Sequence, residues 1–135
     1  METKPNNQNL LGLVAKAQSG KVVLPQFQRN FVWSRDDITD LLVSLLEGHF
    51  IGSFLMLRSD ADDAPFAIRA IQGVNMEPEE LQPEWMILDG QQRLTSLNYA
   101  FSAPAIPMRW SKYPYRFFLN LKKVAAGNFT EAIWS

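Results

Sequence analysis

The chain has 135 residues, 47% of them hydrophobic, which suits one domain with a sizeable core. A net charge of −1 gives no general attraction to nucleic acid, and the lack of cysteine excludes disulfides and thiolate catalysis. No apolar run approaches the ~18 residues of a membrane span, and residues 1–9 lack the basic-then-apolar pattern of a signal peptide, so a soluble, cytoplasmic protein without membrane contact is expected.

Along the chain, residues 8–19 carry Leu10, Leu11, Leu13, Val14 and Ala17 before Gly20, and predict a short helix. Lys21 to Leu24 reads as a strand ended by Pro25, and residues 25–33 as a loop rich in aromatics. Residues 34–47 are the clearest helix. Ser34 is placed to cap it, Asp37 stands three residues on, and Ile38, Leu41, Leu42, Leu45 and Leu46 recur at helical spacing up to Gly48. A strand is predicted over 51–58. Pro65, Pro78 and Pro83 mark 59–83 as an excursion, with a short strand over Phe66 to Ile71. A buried strand over 85–88 and an amphipathic helix over 91–102 follow, then a proline-broken stretch and a last strand from Tyr115 to Leu121. The fold class is α+β: a compact mixed sheet of about four short strands with packed helices, in one domain spanning 1–135. The last eight residues keep three large apolar side chains and no polar tail, which reads as the N-terminal part of a longer chain.

Charge is uneven. Residues 60–84 hold Asp60, Asp62, Asp63, Glu77, Glu79, Glu80 and Glu84 against Arg69 alone; residues 103–135 hold Arg109, Lys112, Arg116, Lys122 and Lys123 against Glu131. Solvated faces are the plain reading of both segments, and a basic surface for DNA near the C-terminus the alternative.

The stretch Asp89-Gly90-Gln91-Gln92-Arg93 joins a buried strand to a helix start, where free backbone N–H groups and the helix dipole favour an anion. Arg93 adds a fork of donors suited to phosphate or carboxylate, and Thr95 a hydroxyl one turn on. Asp89 has open roles: helix cap, metal ligand, or hydroxyl partner. Gly90 at positive φ with Arg93 in solvent describes an ordinary turn equally well. Gln28 and Arg29 sit between Phe27 and Phe31, aromatics read as cover for the sheet edge together with Trp33, and can reach a second polar site. Gly52 before its strand permits a close backbone approach. His49 is the only histidine, so a two-histidine nuclease site cannot be built here. Gly-x-Ser-x-Gly, phosphate-loop and dinucleotide fingerprints are all missing.

Three blocks in order carry a resemblance: Leu24-Pro25-Gln26-Phe27-Gln28-Arg29-Asn30-Phe31-Val32-Trp33, then the 34–47 helix with Gly48-His49-Phe50-Ile51-Gly52, then Asp89-Gly90-Gln91-Gln92-Arg93-Leu94-Thr95. The chain resembles the N-terminal domain of GmrSD-type, modification-dependent restriction endonucleases, in the ParB and sulfiredoxin-like fold group. The resemblance implies a domain that binds a nucleoside triphosphate and hydrolyses it, which licenses or regulates DNA cleavage; Mg²⁺ is the ion expected with the nucleotide. It also implies a C-terminal nuclease domain outside these residues, and DNA as the partner of the full-length phage-defence protein. On this reading Asp89, Gln92 and Arg93 are the catalytic candidates, and Gln28, Arg29, Gly90, Gln91 and Thr95 contact the nucleotide. Arg29 and Arg93 form a two-sided phosphate clamp, while Asp89 orients water or holds Mg²⁺ through water. The alternatives are a non-enzymatic module that senses modified DNA and a ParB-like DNA nuclease.

Overall fold

The computed structural model describes residues 9–59 and 66–135. The expected acidic excursion lies partly outside them, since Asp60, Asp62, Asp63 and Pro65 fall in the gap.

The predicted α+β class holds, with a four-stranded mixed sheet and four helices. Helix α1 spans Leu10–Gln18, strand β1 Val22–Pro25, helix α2 Arg35–Leu46, strand β2 Leu55–Arg58 and strand β3 Ile68–Arg69. Strand β4 spans Trp85–Asp89, helix α3 Gln91–Ser102, strand β5 Phe118–Leu119, helix α4 Leu121–Ala125 and strand β6 Ile133–Trp134. The main sheet has the order β2-β4-β1-β3; β4 and β1 are parallel, and the two outer pairings are antiparallel.

The pleat explains how the sheet is sandwiched. Val22 and Leu24 of β1 and Ile87 of β4 join Leu13, Ile38, Leu94 and Leu97 from the helices in one core. Val23 and Met86, one residue out of step, face the other way and pack with Leu81, backed by Ile68, Met76 and Leu88. Both faces of β1 are therefore covered, and all four of its residues are buried. Helices α1 and α2 both pack on α3.

The strongest local expectation is met in α2. Ser34 Oγ accepts from Asp37 N–H at 3.2 Å, and the Asp37 carboxylate accepts from Ser34 N–H at 2.7 Å, a reciprocal capping box.

Several boundaries differ from the sequence reading. Pro25 is the last residue of β1 rather than its terminator, paired with Ile68. The strand expected over 51–58 is regular only from Leu55, because residues 51–53 turn through Gly52 at φ +102° and offer their carbonyls to a side chain. The strand expected over 115–121 shrinks to Phe118–Leu119 and joins β6 in a separate two-stranded sheet. Asn120 ends it, its side chain accepting from the N–H groups of Lys122 and Lys123 and so opening α4. The fourth strand of the main sheet is instead β3.

Candidate functional site

Residues 28–33 and 88–93, far apart in sequence, meet at the C-terminal edge of β4. Gln28, Arg29, Trp33 and the run from Leu88 to Arg93 line one cleft of about 300 Å³. The expected convergence of the Gln28-Arg29 loop with the Asp89-to-Arg93 turn is thus present in the geometry. Of the expected contact residues, Thr95 is the exception: it is buried within α3 and is not among the cleft residues.

Backbone conformation sets the turn. Gly90 is the N-cap of α3 at φ +91°, and the helix start has no side-chain cap. Asp89 therefore does not act as the helix cap. It is the exposed last residue of β4, paired with Leu55, with its carboxylate at the cleft. The first N–H groups of α3 are left for solvent or a ligand. A β-carbon on Gly90 would meet the Phe54 ring at 2.6 Å, so close packing as well as positive φ requires glycine.

Gln92 and Arg93, adjacent on the first turn of α3, reach to different loops. Gln92 Oε1 accepts from Val32 N–H at 3.0 Å, and its Nε2 donates to the Asn30 carbonyl at 3.2 Å. The side chain is buried and both ends of its amide are engaged, so in this arrangement it shapes the cleft wall. Arg93 donates from Nη1 to the Ile51 carbonyl at 2.8 Å and from Nη2 to the Ser53 carbonyl at 2.7 Å, over the Phe54 ring. Two of the five guanidinium N–H groups are thereby fixed, and the side chain still lines the cleft. Gln28 Nε2 donates to the Leu88 carbonyl at 2.9 Å, which ties the aromatic loop to the end of β4.

Two contributors escaped the sequence reading. Arg69 donates to Asn30 Oδ1 at 2.9 Å and to the Gln28 carbonyl at 2.7 Å, holding the Gln28-Arg29 loop from the β3 side. Its signal was present as the lone cation of an acidic segment. Trp33, read as sheet-edge cover, lines the cleft; Phe31 does enter the core, while Phe27 is 65% exposed and packs edge-on against Phe66.

The cleft thus combines the guanidinium groups of Arg29 and Arg93, one carboxylate, buried glutamines and an uncapped helix start. Arg29 is exposed, so its charge is available at the rim. Such a set favours an anion with several acceptor oxygens. Among the described residues no group of three or more His, Cys, Asp or Glu is arranged to hold a metal ion, and no helix is long and apolar enough to cross a membrane. Trp33 and Arg93 also line a second cleft, with Asp37, Asp40 and Phe50.

Residues 10–133 match the model of the GmrSD restriction endonuclease, N-terminal domain, and the chain belongs to that family. It is similar to an uncharacterized protein, MJ0686, of Methanocaldococcus jannaschii, with 44% identity over 138 residues. That match covers 100% of this chain and 24% of the relative, so the chain spans about a quarter of the length of the curated relative it matches. No solved structure matches the chain.

Proposed function

We propose that the cleft binds a nucleoside triphosphate and promotes its hydrolysis. In this reading the domain regulates a longer phage-defence restriction enzyme that cuts DNA through a separate C-terminal nuclease domain. The observation that carries the reading is the meeting of Gln28 and Arg29 with Asp89 to Arg93 in one cleft at the uncapped start of α3. Membership of the family supports the endonuclease part, and a place in the ParB and sulfiredoxin-like fold group belongs to the same proposal.

The phosphates would lie against the N–H groups of Gln91 and Gln92, where Gly90 lets the backbone approach closely. Arg29 would neutralise charge from the rim. Arg93, held by the Ile51 and Ser53 carbonyls, would present its remaining N–H groups without losing side-chain freedom on binding. Gln92 would act by holding the opposite loop in place, and Gln91, buried along the cleft, by orienting the attacking water. Mg²⁺ commonly takes one or two carboxylates together with substrate phosphates, and the single carboxylate of Asp89 at the cleft fits that need. Bound there, the ion would supply charge neutralisation at the phosphates. Thr95, expected as a nucleotide contact, has no part in this arrangement.

Calorimetric titration with ATP, GTP, CTP and UTP in the presence of Mg²⁺ tests the reading. Arg29→Ala removes a rim charge without touching the core, and one lost charge-assisted bond of about 1.5–3 kcal/mol should weaken binding roughly 10- to 150-fold. No binding of any of the four nucleotides, or full affinity in both Arg29→Ala and Asp89→Asn, would overturn it.

A further inference from the structure

The loop from Met108 to Tyr115 presents two exposed aromatic rings together with cations. Trp110 is 84% exposed and Tyr113 67% exposed, each with a cation over its ring: Arg109 at 4.8 Å from the Trp110 centroid, Lys112 at 5.6 Å from that of Tyr113. Trp110 also has φ +67°, a left-handed conformation that is unfavourable for so bulky a residue. The strain is imposed from both sides. Met108 is buried, Ser111 N–H donates to the Met108 carbonyl, and Ser111 Oγ donates to the Tyr113 carbonyl and accepts from Tyr113 N–H. At the loop's base Tyr99 Oη donates to the Ile106 carbonyl at 2.7 Å and accepts from Tyr115 N–H at 3.1 Å. A left-handed backbone that holds a tryptophan out in water is strained, and such strain clusters at functional segments.

The charge of this region names the class of ligand. Between residues 103 and 135 the chain carries Arg109, Lys112, Arg116, Lys122 and Lys123 against Glu131, which pairs with Lys123 at 3.0 Å, in a protein whose net charge is −1. Flat rings beside exposed cations suit a ligand that alternates flat bases with negative charge. We propose that Arg109, Trp110, Lys112 and Tyr113 form a single-stranded DNA contact, with Trp110 and Tyr113 as stacking platforms and Arg109 and Lys112 on the flanking phosphates. None of these four residues is among those lining the cleft. The proposed contact stands whether or not the cleft takes a nucleotide.

Fluorescence anisotropy with a labelled 12-nucleotide single-stranded DNA, and with the duplex of the same sequence, tests it in the 135-residue chain. The single strand should bind, more weakly as salt rises. Trp110→Gly should weaken it at least about fivefold. Glycine accepts the left-handed backbone, so the same variant should keep or raise the melting temperature. Trp110→Phe should retain most of the affinity, and Arg109→Gln with Lys112→Gln should reduce the salt slope by about 1.4, or ~0.7 per phosphate contact. Absence of single-strand binding, affinity within twofold of the parent in Trp110→Gly, or equal loss in Trp110→Gly and Trp110→Phe would overturn the proposal.

Discussion

The Arg93 guanidinium fills the space that a side chain on Gly52 would occupy. A β-carbon there would fall inside contact distance of Nη1, and Gly52 sits at φ +102° with the Ile51 and Ser53 carbonyls on either side bound to Arg93. The glycine and the arginine are one device: the first lets the backbone curl, the second fastens it to α3. Gly52→Ala both strains the backbone and pushes Arg93 aside. We expect a loss on the order of 3 kcal/mol in urea unfolding, with Gly48→Ala, which has open space around its β-carbon and only the backbone penalty, losing less.

Gln92→Leu keeps the volume of a buried side chain and removes both polar ends. Val32 N–H and the Asn30 carbonyl then lose their partner together. Leaving such groups unmet costs about 1–3 kcal/mol. Hydrogen exchange should show faster exchange at Val32 while amides of β1 stay protected; unchanged exchange at Val32 would show that the loop does not depend on Gln92.

Tyr99 carries a pH-dependent prediction. Burial, the largest cause, raises its pKa, and the hydrogen bond from Tyr115 N–H works in the opposite sense. The folded form therefore holds the phenolic proton more tightly than the unfolded chain. That contribution is fully present below the ordinary tyrosine pKa of ~10 and is lost as pH rises through the higher folded value. Tyr99→Phe should cost about 1–2 kcal/mol at neutral pH through the Ile106 and Tyr115 bonds, and should flatten the alkaline fall in stability. Melting curves of both proteins from pH 8 to pH 11 check this.

The capping box at the head of α2 is a local feature with a local consequence. Ser34→Ala removes the acceptor for Asp37 N–H and should cost about 1 kcal/mol. Ser34→Thr keeps both the acceptor for Asp37 N–H and the hydroxyl donor to the Asp37 carboxylate and should lose less, as read by urea midpoints.

What could be read from the sequence was whatever rests on short-range rules. Helix α2 follows from Ser34, Asp37 and apolar spacing, all within one turn or one face. The β4-Gly90-α3 passage follows from an apolar run meeting a turn pair. The long-range part was less visible. The 115–121 segment has the apolar content of a strand, but Asn120 diverts it into α4, and an N-cap asparagine inside an apolar run is a weak signal beside Phe117 to Leu119. Strand β3 joins the main sheet beside β1 while its Arg69 grips the carbonyls of the 28–30 loop, a partnership that spacing along the chain does not reveal. That Gln28 and Arg29 reach a second polar site was expected from their place between aromatics and from the order of the three blocks, but the bond from Gln28 to the Leu88 carbonyl was not. The engagement of Gln92 and Arg93 with backbone carbonyls was not foreseen, because a long donor on a first helical turn looks the same whether it serves a ligand or a loop.

The grip of α3 on two earlier loops also orders events during synthesis. The contacts from Gln92 to Asn30 and Val32 span 62 and 60 residues, and those from Arg93 to Ile51 and Ser53 span 42 and 40. A ribosome therefore releases the aromatic loop and the Gly52 turn long before the residues that fasten them exist. Until Arg93 emerges the cleft lacks one of its walls, so it is completed only after both loops have left the ribosome.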